Sequence, residues 1–234
     1  MKLGNVILRN TEFGQAMWSD SDFTYSQHDG VLGLGPQGAS TTGTPLLTKL
    51  LQAGLDDAVF SFSFSSSDSG SLVIGGVQHD KYTGEMVWSK IMSEKRWQIE
   101  ASSISTGSHA LCSSNCVMEF NTEIEIIIGP SKQVEELYQL LDAKEIPGVT
   151  IRSVDCSKVD SFPDFTLTVK GQQVNITSKD YIERSKMGST EMCFLMITSV
   201  EDDVSRWIMG TLAHKPLYVA YDFGRHQVGL AQAV

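Results

Sequence analysis

The sequence predicts a mainly β protein, and three observations support that fold class. Apolar and polar residues alternate along much of the chain, turn sequences rich in glycine and serine separate the alternating runs, and only two segments show helical periodicity. With 234 residues, the chain can bury a large core, either as one large β domain or as two smaller units.

Three runs of alternating residues are clearest in chain order. Phenylalanines alternate with serines over residues 60–64, and the serine-rich stretch that follows, up to Gly70, is typical of a hairpin turn. Apolar and polar residues alternate over 165–169 and stop at a lysine-glycine turn. Residues 218–221 resemble a further strand. We expect all three segments to be β-strands.

Two helices are predicted between the strands. The first has Thr44 as its N-cap, Pro45 at its first helical position and Gly54 at its end. The second runs from Ser131 to Asp142. Each helix has one apolar stripe, formed by Leu46, Leu47, Leu50 and Leu51 in the first and by Val134, Leu137, Tyr138 and Leu141 in the second.

A faint internal repeat indicates two related halves. Residues 31–33 (VLG) and 208–210 (IMG) each have the pattern of an apolar strand that ends in a glycine. The two copies lie far apart in the sequence. We therefore expect a strand at each position.

The charge of the chain argues against nucleic acid and anionic membranes as partners. Its 18 Lys and Arg residues against 28 Asp and Glu residues give a formal charge of −10, and no basic stripe interrupts the acidic sequence. No apolar run reaches the roughly 18 residues that span a membrane. The first ten residues, MKLGNVILRN, do not resemble a signal peptide, so we expect no targeting signal in this chain.

The four cysteines, Cys112, Cys116, Cys156 and Cys193, predict disulfides rather than a zinc site, because CxxC pairs are absent. Disulfides indicate an oxidising compartment. Three connectivities are open, and sequential pairing, Cys112 with Cys116 and Cys156 with Cys193, is the simplest.

The histidines predict no metal site and no cofactor. They occur in separate segments, without an HExxH motif or short metal-ligand spacing. We expect surface or capping roles for all five, which are His28, His79, His109, His214 and His226.

Residues 116–130, CVMEFNTEIEIIIGP, raise the main functional question. The run is apolar enough for a buried strand, yet it contains several polar side chains. Three interpretations are open: an active site, the remains of an active site, or an edge strand with one face in water. The polar residues are Glu119, Asn121, Thr122, Glu123 and Glu125.

Stretches along essentially the whole chain resemble the pepsin-like aspartic proteases, and most closely their cathepsin D branch. Each motif alone is weak, but their common order is specific. The resemblance implies the sequential pairing of the cysteines and identifies Trp97 as a core residue. The matching stretches are FGQAM, DGVLGLG, the helix after TPLL, GSLVIGGVQHDKYTGEMVW, RWQIEASSI, LCSSNC, IIIGP, FPDFTLTV and IMGTLAHKPLYVAYDFGRHQVGLAQAV.

The resemblance implies a fold of two β lobes that share a cleft. Each lobe supplies one aspartate from a D-T/S-G-T/S turn, and the pair activates a water. Because two close carboxylates cannot both ionise, one acts as the acid and the other as the base. The turn of the second lobe precedes a Gly-Pro motif by a fixed distance. Counting back places that turn at Asn121, Thr122, Glu123 and Ile124, which we call the slot.

The slot is predicted to be degenerate, with no catalytic residue. The amide of Asn121 has no proton to exchange at any working pH. Glu123 stands where members of the family need glycine, because their active-site loops pack backbone against backbone. Thr122 is retained, and its hydroxyl could still bond across the lobes.

The family's tetrapeptide also occurs literally, at Asp68, Ser69, Gly70 and Ser71. A catalytic turn should follow a buried apolar strand, whereas serines precede this one. We therefore expect residues 68–71 to be a surface hairpin turn rather than an active site.

The predicted fold is a partial pepsin-like fold. If the separation between Asn121 and Gly210 also applies before Gly33, the first catalytic aspartate would lie before Met1. Residues 1–90 are then expected to form the second half of the N-terminal lobe, and residues 91–234 a complete C-terminal lobe.

These expectations predict a catalytically inactive aspartic-protease-like protein, a pseudoprotease, that serves as a binding or structural subunit in the secretory pathway. The compartment would be extracellular, lysosomal or vacuolar. Two alternatives are open: the heavy chain of an active protease completed by a light chain, and a structural or antigenic protein without a peptide cleft.

The expected partner is a protein or peptide, such as a light chain supplying the missing half-lobe, or a second copy of the chain. The sequon at Asn175 predicts a glycan if the chain enters that pathway.

Overall fold

The computed structural model describes residues 1–4, 6–15, 17, 29–41, 43–64, 69–188, 190–200 and 205–234. Most of its regular elements are β-strands, which confirms the predicted fold class. In chain order the strands are β1 (Lys2–Leu3), β2 (Val6–Ile7), β3 (Val59–Phe64), β4 (Gly70–Ile74), β5 (Tyr82–Lys90), β6 (Gln98–Ala101), β7 (Ser103–Thr106), β8 (His109–Cys112), β9 (Cys116–Phe120), β10 (Ile127–Ile128), β11 (Lys144–Glu145), β12 (Arg152–Val154), β13 (Phe165–Val169), β14 (Gln172–Ile176), β15 (Ile182–Met187), β16 (Thr190–Leu195), β17 (Ile197–Thr198), β18 (Trp207–Met209), β19 (Leu217–Asp222) and β20 (Gln227–Ala233).

The helices are short and lie between the strands. The α-helices are α1 (Leu46–Gln52), α2 (Ser131–Leu140), α3 (Ser178–Tyr181) and α4 (Thr211–His214). Single 3₁₀ segments occur at Gln37–Ala39, His79–Lys81 and Cys156–Ser161. No helix in the described part of the chain is long and apolar enough to cross a membrane.

The described strands form five sheets. Most neighbouring strands are antiparallel, but β10 with β17 and β18 with β9 are parallel. The strand orders are β1-β2, β17-β10-β18-β9-β6, β11-β12-β16-β15, β14-β13-β7-β8 and β4-β3-β19-β20-β5.

The sheet β4-β3-β19-β20-β5 joins distant parts of the chain. Residue 90 ends β5, and β19 and β20, from the C-terminal end of the sequence, pair with β3 and β5. This sheet therefore contains strands from both sides of the predicted boundary between residues 90 and 91. The division into two lobes stays a prediction.

Aromatic rings pack where this sheet meets the sheet of β9. Phe60 and Tyr221 stack with ring centroids 4.6 Å apart, and the edge of Trp97 contacts both rings. The indole nitrogen of Trp97 donates a hydrogen bond to the carbonyl of Leu34 at 2.9 Å. Trp97 is buried, so its predicted place in the core is confirmed.

Most predicted elements are present. Strands β3, β13 and β19 cover the three alternating runs, and Phe64 pairs with Gly70 across the predicted hairpin. Asp68, which the prediction places in a hairpin turn, lies outside the described residues. Helix α1 begins one residue later than predicted, with Pro45 as its N-cap. Helix α2 ends two residues earlier than predicted, because the chain turns at Asp142 with φ at +53°.

The prediction of a strand at residues 31–33 is wrong. These residues have no β partner among the described strands, and Val31 and Leu32 are 69% and 44% exposed. A Cβ at Gly33 would meet no atom within 4 Å, whereas one at Gly210 would overlap neighbouring backbone. The two copies of the repeat are therefore not equivalent, because only the second is a buried, closely packed strand.

The four cysteines form two disulfides, as the resemblance implies. Cys112 is bonded to Cys116 with 5.9 Å between the Cα atoms, and this disulfide closes the turn between β8 and β9. Cys156 is bonded to Cys193 with a Cα separation of 5.3 Å. The second disulfide ties a 3₁₀ segment to β16.

Candidate functional site

The slot is the turn that connects β9 to β10. These two strands are consecutive in the chain but not adjacent in the sheet, because β18 lies between them. The turn therefore passes over the end of β18. Strand β9 itself lies between β18 and β6, so the interpretation of this stretch as an edge strand is wrong.

Asn121 closes the turn with its own side chain. Its amide oxygen accepts the backbone N–H of Glu123 at 2.9 Å, the local bond that asparagine and aspartate make in turns. Its backbone N–H donates to the carbonyl of Met209 at 3.0 Å, which ties the turn to β18. Asn121 is half-buried, whereas Thr122 and Glu123 are exposed.

Gly210 lets the turn lie directly against the start of α4. A Cβ at Gly210 would stand 2.3 Å from the carbonyl oxygen of Ile126 and 2.4 Å from that of Ile124. The first two backbone N–H groups of α4, of Thr211 and Leu212, donate to the carbonyls of Ile124 and Glu125 at 2.8 and 2.9 Å. A helix leaves these N–H groups without internal partners, so the carbonyls of the turn supply the hydrogen-bond acceptors that the start of the helix needs.

Glu119 lies on β9, two residues before Asn121, and its carboxylate is buried. Arg206 donates from its Nε at 2.6 Å and Arg96 from a terminal nitrogen at 3.1 Å. Gln98, directly across from Glu119 on β6, donates from its side-chain amide at 2.9 Å. A buried charge needs such partners, and Glu119 has three of them.

These contacts keep Glu119 ionised. Burial alone raises the pKa of the Glu119 carboxyl, because it disfavours the charged form. The hydrogen bonds from Gln98 and Arg206 oppose this effect. The positive charges of Arg206 and Arg96 act in the same direction, so the pKa of Glu119 lies below its usual value. Glu119 is therefore a fixed anion with its charge already paired, and it is poorly suited to exchange protons.

The surface role predicted for His214 is wrong. His214, at the end of α4, is fully buried. Its Nδ1 donates to the carbonyl of Gly210 at 2.7 Å, so its Nε2 accepts the hydroxyl of Tyr221 at 2.8 Å. Phenylalanine rings surround it, and its burial lowers the pKa of the imidazole to about 4. His214 is thus a neutral core residue that joins the sheet of the slot to the sheet of β19.

The other histidines agree with the surface prediction where they are described. His79, His109 and His226 are exposed, and His28 lies outside the described residues. One group of potential metal ligands occurs in the described part of the chain, at Cys156, Glu191 and Cys193. Both sulfurs of that group belong to the second disulfide, so it offers no thiolate.

The sequon at Asn175 lies on β14, where both of its polar side chains have partners. The side-chain oxygen of half-buried Asn175 accepts the hydroxyl of Thr166 at 2.9 Å. Thr177 caps α3, and its hydroxyl donates to Asp180 at 2.6 Å. Glycosylation of Asn175 stays a prediction.

A cleft of about 920 Å³ opens beside the slot. Asn121, Thr122 and Glu123 line it on one side. Residues 30–36 also line it, together with the basic residues Lys95 and Arg96 and an aromatic group made of Phe60, Phe62, Trp97, Phe120 and Tyr221. Its volume is within the range of ligand sites in proteins.

The sequence profile of eukaryotic aspartyl proteases matches residues 1–233. The chain belongs to this family. Rabbit gastricsin (Oryctolagus cuniculus) is 30% identical over 97% of this chain and 60% of its own length, and cathepsin D of Dictyostelium discoideum is 28% identical over 99% of this chain and 63% of its own length. Pregnancy-associated glycoprotein 1 of Bos taurus is similar at 28% over 62% of its length.

The chain thus spans about 60% of the length of the curated relatives that it matches. The family predicted from the motifs is confirmed, and the mainly β structure is consistent with a partial pepsin-like fold. The assignment of Asn121 to the position of the family's second catalytic aspartate, counted from the Gly-Pro motif, stays a prediction.

Two features of the site were missed from the sequence. One is the pairing of Glu119 with Arg96, Gln98 and Arg206. The signal was present, since a lone glutamate within the apolar run of β9 requires partners, but those partners come from β6, from the segment just before it and from the residue before β18. The other feature is the burial of His214, which no pattern in the sequence analysis revealed.

Proposed function

We propose that this chain is a catalytically inactive member of the aspartyl protease family that acts as a binding or structural subunit. The observation that carries the proposal is the chemistry of Asn121. A carboxamide cannot transfer protons, and its oxygen already accepts the N–H of Glu123 within the turn. The acid-base half that this turn supplies in an aspartic protease is therefore missing.

The carboxylates near Asn121 are poor substitutes for the missing aspartate. Glu119 is held as an anion by two arginines, so it is not poised between acid and base. Glu123 is exposed, and exposure favours a solvated carboxylate over one held against a second carboxyl group. The two disulfides fit a chain of the secretory pathway, which is the location that we propose. One relative carries the name of a glycoprotein rather than of a protease.

Peptide cleavage at acid pH tests the proposal. The purified chain is incubated with a fluorogenic peptide substrate of pepsin, with and without pepstatin. We expect no pepstatin-sensitive turnover, because loss of one positioned acid-base group lowers the rate by roughly 10²- to 10⁴-fold. Porcine pepsin under the same conditions is the positive control.

Variants at the slot identify the cause of the inactivity. Asn121→Asp alone should stay inactive, because Glu123 still occupies the position that needs glycine. We expect activity only when Asn121→Asp is combined with Glu123→Gly and Ile124→Thr, and when a light chain supplies the first D-T-G turn.

The competing function is the heavy chain of an active protease, and it predicts a different result. Pepstatin-sensitive turnover by the unmodified chain, alone or with a light chain, and its loss in Asn121→Ala would show that the chain is an enzyme. That result would overturn the proposal.

A further inference from the structure

The cleft beside the slot presents hydrogen-bond donors that have no acceptor. The side-chain nitrogen of Asn121 and the ammonium of Lys95 have no partner among the described residues, although both residues line the cleft. Arg96 uses one terminal nitrogen on Glu119, and its side chain is still 52% exposed. All three groups donate and none accepts, so together they fit a ligand that supplies acceptor oxygens.

The charge around these donors is positive, in contrast to the acidic chain as a whole. Glu119 is paired with both Arg96 and Arg206, so this cluster keeps one positive charge, and Lys95 adds a second; the carboxylate of Glu123 offsets one of these and leaves a net charge of +1. The chain as a whole has a formal charge of −10. A carboxylate is the common protein group that combines a negative charge with acceptor oxygens, and it forms its strongest hydrogen bonds with charged donors.

Glu123 limits how acidic the ligand can be. Its carboxylate lines the same cleft and, in the described part of the chain, has no cationic partner. A run of acidic residues would be repelled by it. The ligand therefore has one carboxylate in a sequence that is otherwise uncharged.

The remaining lining favours apolar side chains around that carboxylate. Val31 and Leu32, which are 69% and 44% exposed, and half-buried Phe62 line the cleft with apolar surface, whereas Phe60 and Tyr221 are almost fully buried. About three residues of extended peptide span roughly 10 Å, which is the scale of a cleft of this volume.

We propose that this cleft binds an extended peptide segment of a partner protein through a single aspartate or glutamate, whose carboxylate is held by Asn121, Lys95 and Arg96. The inference rests on the proposed function, since it gives the degenerate slot a role in binding. In this arrangement Asn121 binds the carboxylate of the ligand, whereas an aspartate at position 121 would repel it.

Two matched peptides test the charge requirement. Each carries fluorescein, a glycine linker and the sequence Leu-Val-Asp-Leu-Val or Leu-Val-Asn-Leu-Val, and binding is followed by fluorescence anisotropy at pH 7. We expect the aspartate peptide to bind at least about tenfold more tightly, because the hydrogen bonds that charged donors make to a carboxylate are stronger than those they make to a neutral amide oxygen. Equal affinity of the two peptides, or no binding of either, would overturn the proposal.

Two variants assign the selectivity to the cleft. Asn121→Asp keeps the oxygen that accepts the Glu123 N–H but replaces the donor by a negative charge, so the aspartate peptide should lose its preference. Lys95→Gln should weaken the aspartate peptide about fivefold and leave the asparagine peptide unchanged. Lys186→Gln, which removes an exposed lysine outside the cleft, is the matched control and should change neither affinity.

The readouts separate this inference from the proposed function. Mass spectrometry of the peptides after incubation reports cleavage, which bears on the proposed function, whereas anisotropy reports selective binding. Thermal unfolding checks that Asn121→Asp is folded, and Lys95→Gln decides the test if it is not. An aspartate preference that is undiminished in Lys95→Gln, or in a folded Asn121→Asp, would show that the carboxylate is not held here.

Discussion

Three polar side chains near the slot are satisfied in three different ways. Glu119 is buried and has three donors, Asn121 closes its own turn, and His214 is bonded on both ring nitrogens. A buried polar group without a partner destabilises the folded state by about 1–3 kcal/mol. Loss of the partners of any of these three side chains should therefore destabilise the folded protein. None of the three needs a catalytic role to explain its contacts.

His214 should make stability fall at acid pH. Its pKa is lowered to about 4 in the folded protein, below the ordinary value of 6.5, so the unfolded chain binds the proton more tightly. The stabilising contribution is complete above pH 6.5 and is lost as the pH falls toward 4. Between pH 7 and pH 4.5 we expect a loss of roughly 2 kcal/mol from this residue.

Urea unfolding of the wild type and of His214→Leu/Tyr221→Phe at the two pH values measures this contribution. The double variant removes both partners of the hydrogen bond, and the Gly210 carbonyl keeps its bond from the N–H of Ala213 at 3.0 Å. Its stability should depend less on pH than that of the wild type, by the amount given above. The same pH dependence in both proteins would refute the assignment to His214.

At the scale of the elements, the slot is held by a close contact between the β9–β10 turn and the start of α4. The turn has no side-chain core of its own, and its position is set by hydrogen bonds to β18 and α4. The contact depends on Gly210, whose φ of −75° is one that any residue can adopt. The requirement for glycine here is therefore steric rather than conformational.

Gly210→Ala should destabilise the protein by about 1–3 kcal/mol, because the new methyl group would overlap the carbonyls of Ile124 and Ile126. For a chain of this size, that corresponds to a lowering of Tm by several degrees. Differential scanning calorimetry measures the change. Gly14→Ala is the matched control, since a Cβ at Gly14 meets no atom within 4 Å; an equal loss in both variants would contradict the steric explanation.

The elements differ in how well the sequence predicts them. The strands β3, β13 and β19 were predictable because their alternation is local and one face is buried. Residues 31–33 have an equally apolar sequence but no neighbouring strand within the described part of the chain, and pairing is a property of the fold rather than of the segment. The slot was located by its spacing to the Gly-Pro motif, whereas the partners of Glu119 come from distant segments that no local pattern connects.

At the scale of the whole molecule, apolar side chains remain in water near the N-terminal end of the sequence. Phe13, Met17, Val31 and Ile7 are 88%, 80%, 69% and 64% exposed. In the sheet β4-β3-β19-β20-β5, β4 is an edge strand with mostly exposed residues. Exposed apolar patches and unpaired strand edges are typical of surfaces that bind another chain.

We therefore predict that the isolated chain self-associates or binds a partner at micromolar concentration. Sedimentation velocity should show species larger than the monomer of 25.7 kDa. Phe13→Asp should shift the distribution toward the monomer, whereas Val149→Asp, at a residue 51% exposed elsewhere on the chain, should not. A monodisperse monomer at these concentrations would count against the prediction.

The position of β18 between β9 and β10 also has a kinetic consequence. Strand β18 follows β10 by most of the C-terminal half of the sequence, so the turn at Asn121 has no place to dock until residues 207–210 have been synthesised and have folded back. Contacts of such high sequence separation form slowly, because the intervening chain must first be ordered. On the ribosome, the segment around Asn121 therefore stays without its contacts to β18 and α4 until most of the chain has been synthesised.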